Sequence, residues 1–136
     1  MSVLNLNETL SKPCLCSSGQ TYQQCCQPYY LGNMNPETCE QLMRSRYVAY
    51  VLQLESYLLS TWAEVNRPVE FEFENGLSWQ GLKILKTKKG RKKDKKGWVT
   101  FTADYQVGLD KNSMTENSRF IRDKDAHWVY LDGEFI

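Results

Sequence analysis

The sequence predicts an α+β fold, in which a cysteine knuckle at the N-terminus is followed by helices packed on a curved antiparallel sheet. Three observations predict it. Four cysteines lie within thirteen residues near the start of the chain. Apolar residues recur at spacings of three and four between residues 37 and 62, as in amphipathic helices. After residue 68 the period changes to two, and helices that precede such strands usually cover one face of the sheet.

The clustered cysteines predict a metal site. They follow the pattern C-x-C, eight residues, C-C, and they are Cys14, Cys16, Cys25 and Cys26. Four thiolates form a closed tetrahedral cage that suits Zn²⁺ and leaves no position for a substrate. Gly19 permits the positive φ that a tight reversal needs, and Thr21 can cap a short helix that carries the last two ligands. We therefore predict one structural zinc ion, with two disulfides or buried free thiols as the alternatives.

Length and composition indicate one domain in a cytoplasmic protein. A chain of 136 residues, of which 41% are hydrophobic, can build a single core. Residues 1–13 lack the apolar stretch of a secretory signal, and no run approaches the ~18 apolar residues of a membrane span. We therefore expect an intracellular chain without a membrane partner. Disulfides are rare in that compartment, which favours metal at the cysteines.

Two helices are predicted over residues 37–54 and 55–62. Asn35 is placed as the N-cap of the first helix and Pro36 in its first turn. The apolar stripe of the first helix consists of Cys39, Leu42, Met43, Tyr47, Tyr50, Val51 and Leu54. Cys39, the fifth cysteine, is expected to pack inside this helix rather than to bind metal. Pro68 ends the helical region.

Five strands are predicted in the rest of the chain. Residues 69–74 alternate between apolar and acidic side chains, and Asn75-Gly76 signals a tight turn after them. The longer strands are expected at residues 78–88, 98–107, 115–122 and 127–131. Residues 90–97 form a basic loop between the first two of these, and turns are expected at 123–125 and at 132–133.

A pocket between the helices and the sheet is the first candidate site. Period-two alternation and the helical stripe nominate its lining as Tyr47, Tyr105, Glu116, Ser118, Phe120, Trp128 and Tyr130. Burial would raise the pKa of Glu116 unless Arg44, Arg46 or Arg122 pairs with it. A structural Glu–Arg network and an acid/base residue are the alternatives, and we favour the network. His127, the only histidine, should face away from the pocket, and no catalytic residue is nominated.

The basic loop is the second candidate site. Nine basic residues and one acid lie between positions 83 and 96, whereas the rest of the chain is net acidic. The candidate contacts to a polyanion are Lys86, Lys88, Lys89, Arg91, Lys92, Lys93, Lys95 and Lys96. Because residues 83–97 contain no aromatic side chain, no stacking platform is predicted there. A solvated hairpin tip is favoured over weak nucleic-acid or ribosome association.

The knuckle resembles a known motif. Residues 13–26, PCLCSSGQTYQQCC, are similar to the SEC-C motif, a zinc knuckle that usually reads close to PCPCGSGKKYKKCC. Leu15 and Ser17 replace a proline and a glycine, and Gln20, Gln23 and Gln24 stand where basic residues are common. The resemblance implies zinc binding, because the ligand spacing is kept. It weakens the expectation that the knuckle docks to a partner through charge.

The rest of the chain resembles the YchJ-like family of small bacterial proteins. The resemblance lies in the stretches LMRSRYVAYVLQLESYLLSTW, SWQGLKI, GWVTFTADY, ENSRFIRD and HWVYLDG. It implies a cystatin-like, nuclear transport factor 2-like cone over residues 35–136, after a lead-in at 1–12 and a knuckle with its linker at 13–34. Homodimers are common in this fold class.

The most favoured function is a non-catalytic, protein-docking or accessory module. The alternative, which the resemblance also raises, is a small-molecule-binding cone with isomerase- or lyase-like activity. The two differ in the cone: a docking module should have it plugged by Trp and Tyr side chains. A ligand-binding protein should have an open pocket with convergent polar groups.

Overall fold

The structure, a computed structural model, describes residues 10–136 and confirms the α+β fold. Its helices are α1 (Gln27–Tyr30), α2 (Cys39–Leu52) and α3 (Glu55–Ser60), followed by a 3₁₀ turn at Glu64–Asn66. The strands are β1 (Leu77–Lys89), β2 (Lys96–Val107), β3 (Asp110–Arg122) and β4 (Trp128–Phe135). They form one antiparallel sheet in the order β1-β2-β3-β4. Most of the predicted lead-in lies outside the described residues.

Helix α2 begins at a capping box rather than at the predicted cap. The Thr38 hydroxyl accepts a hydrogen bond from the Gln41 backbone N–H, and the Gln41 side chain accepts one from the Thr38 backbone. This reciprocal pair satisfies two free N–H groups at the helix start, which Asn35 and Pro36 do not do. The prediction of Asn35 as N-cap was therefore wrong. The helix ends at Leu52 and is followed by Gln53, whose φ of 59° is left-handed; α3 is also shorter than predicted.

The sheet curves around α2 and buries one of its faces. Register shifts interrupt the ladder between Trp79 and Gly81, between Ile84 and Lys86, and between Arg119 and Phe120. Such bulges bend a strand and increase its twist. Alternate β2 residues are buried, as the period of two predicts. They meet the buried α2 residues in one core, which includes Leu42, Val48, Leu82, Val99, Phe101, Phe120 and Trp128.

Three strand predictions were wrong. Residues 69–74 form no strand; Phe71 and Phe73 instead pack edge-on against Tyr50. The apolar–acidic alternation of this segment therefore packs two rings against α2, although the segment pairs with no neighbouring strand. β3 begins at Asp110, because the tight turn at residues 108–109 extends the hairpin beyond the predicted start at 115. Residues 132–133 lie inside β4, where Gly133 pairs with Ser118.

None of the described helices is long and apolar enough to cross a membrane. The longest of them, α2, has 14 residues. A membrane-spanning helix needs ~20.

Candidate metal centre and central cavity

The four cysteines of the knuckle converge on one point. The Sγ atoms of Cys14, Cys16, Cys25 and Cys26 all lie within 4.8 Å of one another. Cys25 Sγ is 3.5 Å from Cys16 Sγ and 3.9 Å from Cys26 Sγ. Tetrahedral zinc with Zn–S bonds of ~2.3 Å requires Sγ atoms ~3.8 Å apart. All four thiols are free, so the cluster has the donor set and the spacing of a metal site.

Local backbone hydrogen bonds build the knuckle from its two ends. Pro13 and Thr21 form an isolated antiparallel β-bridge, and the Cys14 N–H donates to the Gln20 carbonyl over 2.7 Å. The Thr21 hydroxyl accepts from the Gln24 N–H, but residues 22–26 form turns and α1 begins at Gln27. The prediction of a short helix that carries Cys25 and Cys26 was therefore wrong. Gly19 adopts the predicted positive φ, 91°. These contacts return the chain so that both cysteine pairs face inward.

The hydrogen bonds among the thiols set their ionisation. Hydrogen bonds with Cys14 and Cys26 lower the pKa of Cys16 below that of an ordinary thiol. Hydrogen bonding to Cys16 raises the pKa of Cys14 to about 12, and contacts with Cys14 and Cys16 together with burial raise the pKa of Cys26. These hydrogen bonds favour ionisation of Cys16 over that of Cys14 and Cys26. A bound divalent cation would allow all four to ionise, because a coordinating thiol is deprotonated.

The knuckle packs directly on α2. Arg44 Nη1 donates to the Cys16 carbonyl over 2.5 Å, and the Tyr30 hydroxyl donates to the Ser45 carbonyl over 2.6 Å. The Tyr30 ring meets the Tyr57 ring edge-on, with 4.8 Å between centroids. Cys14, Cys16 and Cys26 are buried in the same cluster as α2 and the sheet. The cysteine cluster is therefore continuous with the core of the domain.

A cavity lies between α2 and the concave face of the sheet. Its volume is ≈ 260 Å³. Its wall is mostly apolar and aromatic, and the polar groups that reach it include those of Arg46, Glu116, Ser118 and Tyr130. Sites for small molecules have this composition. By the criterion set from the sequence, the cone is not plugged.

A buried arginine, Arg46, and a half-buried carboxylate, Glu116, face this cavity without pairing with each other. Arg46 is 3% exposed; its Nη1 donates to the Leu58 carbonyl over 2.8 Å and to the Thr61 hydroxyl over 2.7 Å. Its guanidinium lies 4.9 Å from the centre of the Tyr130 ring. Within residues 10–136, it has no carboxylate partner. Burial lowers the pKa of Arg46.

Glu116 is held by hydroxyl groups rather than by an arginine. Its Oε2 accepts from the Ser118 hydroxyl over 2.5 Å and from the Tyr130 hydroxyl over 3.0 Å. A Cβ on Gly133 would lie 2.1 Å from this oxygen, so the glycine makes room for the carboxylate. The predicted Glu–Arg network was therefore wrong: Arg44 pairs with Glu40, and Arg122 donates to backbone carbonyls.

The predicted pocket lining is partly assembled. Tyr47, Glu116, Ser118 and Tyr130 line the cavity. Tyr105 lies at an open groove beside it, whereas Phe120 and Trp128 are packed in the core, where the Trp128 Nε1–H donates to the Glu37 carbonyl. Sequence reasoning missed Arg46 as a lining residue, although its spacing of three and four from Met43 and Tyr50 places it on the α2 stripe. His127 is exposed and away from the cavity.

Ion pairs and hydrogen bonds to neighbouring residues fix the conformation of the basic loop. Arg91 pairs with Asp94 over 2.8 Å, and Lys92 pairs with Glu37 over 3.2 Å. Arg122 stacks on the Trp128 ring at 3.9 Å and donates to the carbonyls of Lys92 and Asp94. The predicted contacts divide into two sets: Arg91, Lys92, Lys93 and Lys95 at the loop, and Lys86, Lys88, Lys89 and Lys96 on the strands beside it.

Cys39 is separate from the metal cluster. It is buried at the start of α2, and its backbone N–H donates to the Gly90 carbonyl over 2.9 Å. A Cβ on Gly90 would lie 2.0 Å from the Cys39 Sγ, so the thiol packs directly on the base of the basic loop. This contact joins α2 to the β1–β2 hairpin.

Known proteins share both parts of this architecture. The model of the SEC-C motif matches residues 11–28, and that of the middle NTF2-like domain of YchJ matches residues 38–133. A UPF0225 protein of Streptomyces coelicolor is 44% identical over 124 residues, which is 91% of this chain and 96% of that protein.

Two solved structures of SEC-C motif containing proteins have the same fold. The solution structure from Rhodopseudomonas palustris has a TM-score of 0.80 and 29% identity, and the match covers 92% of this chain and 99% of that one. The crystal structure from Psychrobacter arcticus has a TM-score of 0.76 and 26% identity, with coverage of 92% and 83%. The resemblance inferred from the sequence is thus confirmed.

Proposed function

We propose, from the premise that this chain belongs to the UPF0225 family, that it is a zinc-stabilised domain that binds a small molecule between α2 and the sheet. One observation carries the proposal: Arg46 and Glu116 reach the same cavity, and neither neutralises the other. A buried ion without a partner lowers stability by several kcal/mol relative to a paired one. A ligand that contacts both groups would recover part of that free energy.

The donor set supports zinc as the metal. Four thiolates in a tetrahedron are typical of structural zinc, whereas Mg²⁺ and Ca²⁺ prefer oxygen ligands. Cys14, Cys16, Cys25 and Cys26 would fill all four positions. Zinc would then hold the knuckle in the conformation in which Tyr30 and the Cys16 carbonyl contact α2. Its role is structural, because no position is left for a substrate.

Metal analysis of the purified protein tests this assignment. We expect one zinc ion per chain in the wild type, a large loss in Cys25→Ser, and no loss in the matched control Cys39→Ala, whose thiol lies outside the cluster. Native mass spectrometry gives the stoichiometry directly. A wild type without zinc, or a Cys25→Ser variant that keeps it, contradicts the assignment.

The cavity fits a compact apolar molecule with a polar end. Rings of Tyr50, Trp79 and Phe101 line its wall. At the polar end, the Arg46 guanidinium donates hydrogen bonds and the Glu116 carboxylate accepts them. A primary amide on an aromatic ring offers one acceptor and two donors, and so can satisfy both groups. A carboxylate would suit Arg46 and be repelled by Glu116.

Benzamide and benzoate are matched probes of this arrangement. In ¹H–¹⁵N NMR titrations of the zinc-loaded chain, we expect benzamide to shift resonances of α2 and β3 residues around the cavity, and benzoate to bind more weakly. Glu116→Gln should weaken benzamide binding by roughly tenfold, the effect of one hydrogen bond to a charged group. The same change should strengthen benzoate binding.

Two further variants distinguish a positioned carboxylate from a general charge effect. Gly133→Ala should displace the Glu116 side chain and weaken benzamide binding, whereas Glu134→Gln, an exposed change on the same strand, should have no effect. The proposal fails if neither probe shifts cavity residues, or if Glu116→Gln leaves the preference between the probes unchanged. The zinc assignment is tested separately and can stand without the cavity.

Protein docking is the second candidate, and one observation favours it. Leu15, between two predicted ligands, is 53% exposed, although it is a large apolar side chain. Contiguous exposed apolar surface marks protein contacts, and Leu15 would be one part of such a surface beside the cysteine cluster. Docking, a homodimer and the identity of any partner remain predictions.

A further inference from the structure

The sheet face that points away from α2 carries a basic and aromatic surface. We define this outer surface by its side chains: Lys83, Lys86, Lys88, Lys96, Trp98 and Arg119. The strand register brings Lys88, Trp98 and Arg119 into one row across three strands. Their neighbours along the strands, such as Val99 and Ser118, are buried on the opposite face. The alternation therefore separates this surface from the cavity by the thickness of the sheet.

Trp98 lies between two lysines of this surface. Lys88 Nζ is 5.0 Å and Lys96 Nζ is 5.8 Å from the centre of the Trp98 ring. Both lysine side chains are exposed, and in the described part of the chain neither pairs with a carboxylate. A cation is attracted to the face of an indole ring. The pairing of β1 with β2 thus places one indole ring between two ammonium groups that have no carboxylate partner among the described residues.

The neighbouring charges are also positive. Lys89 at the end of β1 and Lys93 and Lys95 of the basic loop lie at the same end of the sheet, whereas Lys92 pairs with Glu37. Asp94 is the one acid among residues 83–96, and it pairs with Arg91. On the far side, Arg119 pairs with Asp132, which marks where the positive surface ends. The charge of the surface complements a polyanion rather than an acidic residue of the protein itself.

We propose that this outer surface binds single-stranded nucleic acid, with a base stacked on Trp98 and the flanking phosphates contacted by Lys88 and Lys96. Aromatic rings set among basic side chains bind single strands in this way, because every base has a face that can stack. In a duplex the bases stack on each other, which leaves only phosphates for the lysines. Single strands should therefore bind more tightly than duplexes. This proposal does not depend on the cavity, which lies on the other face.

Fluorescence anisotropy with labelled oligothymidylate of twelve nucleotides tests the proposal on the full, zinc-loaded chain. At 50 mM salt we expect binding that is weaker for a duplex of the same length. Trp98→Leu, which keeps an apolar side chain but removes the ring, should weaken binding by roughly 5- to 100-fold. Trp98→Phe should retain most of the affinity. Circular dichroism and zinc content confirm that each variant is folded.

The lysines are tested through the salt dependence. Replacing Lys88 and Lys96 together with Gln should lower the slope of log affinity against log salt by ~1.4, since each phosphate contact on a single strand contributes ~0.7. Lys111→Gln with Lys124→Gln, which lie outside the surface, should leave the slope unchanged.

Three results overturn the proposal. The first is no binding at 50 mM salt. The second is equal affinity for duplex and single strand together with a Trp98→Leu variant that binds like the wild type, which indicates a general polyanion effect. The third is a stable dimer in sedimentation that excludes oligothymidylate, because a second copy of the chain would then cover this face.

Discussion

Replacing Ser17 with glycine should strengthen zinc binding, although Ser17 is not a ligand. Its φ is 67°, in the left-handed region that an L-residue occupies at a cost of ~1–2 kcal/mol. The side chain is exposed and has no hydrogen bond of its own, so Ser17→Gly removes the strain and no contact. Because glycine is more flexible in the unfolded chain, its larger loss of entropy on folding cancels ~0.5–1 kcal/mol of this gain. The net gain of ~0.5–1 kcal/mol is equivalent to about 2- to 5-fold in affinity.

The matched change in the opposite direction is Gly19→Ala. Its φ is 91°, and no atom lies within 4 Å of the added Cβ, so the only penalty is conformational. We expect zinc affinity to fall by roughly 5- to 30-fold, equivalent to ~1–2 kcal/mol. Competition against a chromophoric chelator measures both variants, because folding of the knuckle and metal binding are coupled. The reasoning is refuted if Ser17→Gly weakens zinc binding, or if Gly19→Ala leaves it unchanged.

Three further predictions concern stability. Gly97→Ala should destabilise the domain by more than ~2 kcal/mol in urea unfolding, because its Cβ would lie 2.3 Å from the Gly90 Cα, whereas Gly81→Ala, with its nearest atom at 4.0 Å, should not. Burial raises the pKa of Tyr47 to about 12, so the contribution of its neutral hydroxyl to the free energy of unfolding is complete below pH ~10. This contribution is lost as the pH rises to ~12. In urea unfolding, Tyr47→Phe should therefore show a smaller fall of the midpoint over this pH range. Chelation of zinc should lower the melting temperature of the whole domain, and an unchanged temperature would show that the knuckle is energetically separate.

The sequence was sufficient to predict the four-cysteine cluster, because the spacing of the cysteines is a local property. Cys14 and Cys16 are one residue apart, Cys25 and Cys26 are adjacent, and the turn between them needs only Gly19 and the cap at Thr21. The apolar stripe of α2 was also predictable, because it depends on a local spacing of three and four residues. Arg46 was predicted only as a possible partner of Glu116 and not as a lining residue. In the structure its guanidinium instead donates to the Leu58 carbonyl of α3 and to the Thr61 hydroxyl.

Features that depend on tertiary neighbours could not be predicted. Residues 69–74 have the alternation of a strand, but a strand also needs a free sheet edge at the correct distance. Phe71 and Phe73 instead pack against the Tyr50 ring of α2, and Phe71 also contacts the Trp62 ring, which follows α3. The Trp98 surface was missed for a similar reason. Lys88 faces Trp98 only because the register shifts between Ile84 and Lys86, and a shift of one residue exchanges the two faces of a strand.

Helix α2 connects the metal centre to the cavity. Arg44 contacts the knuckle backbone, and two residues later Arg46 lies at the cavity. Between them, Ser45 accepts from Tyr30 through its carbonyl and contacts the Tyr57 hydroxyl at 2.6 Å, so the knuckle, α2 and α3 meet at one buried point. A metal bound by the four cysteines would hold the knuckle against α2 and, through Arg44 and Ser45, would restrict the backbone that carries Arg46. On the proposed function, such a metal would shape the cavity without contacting a ligand in it.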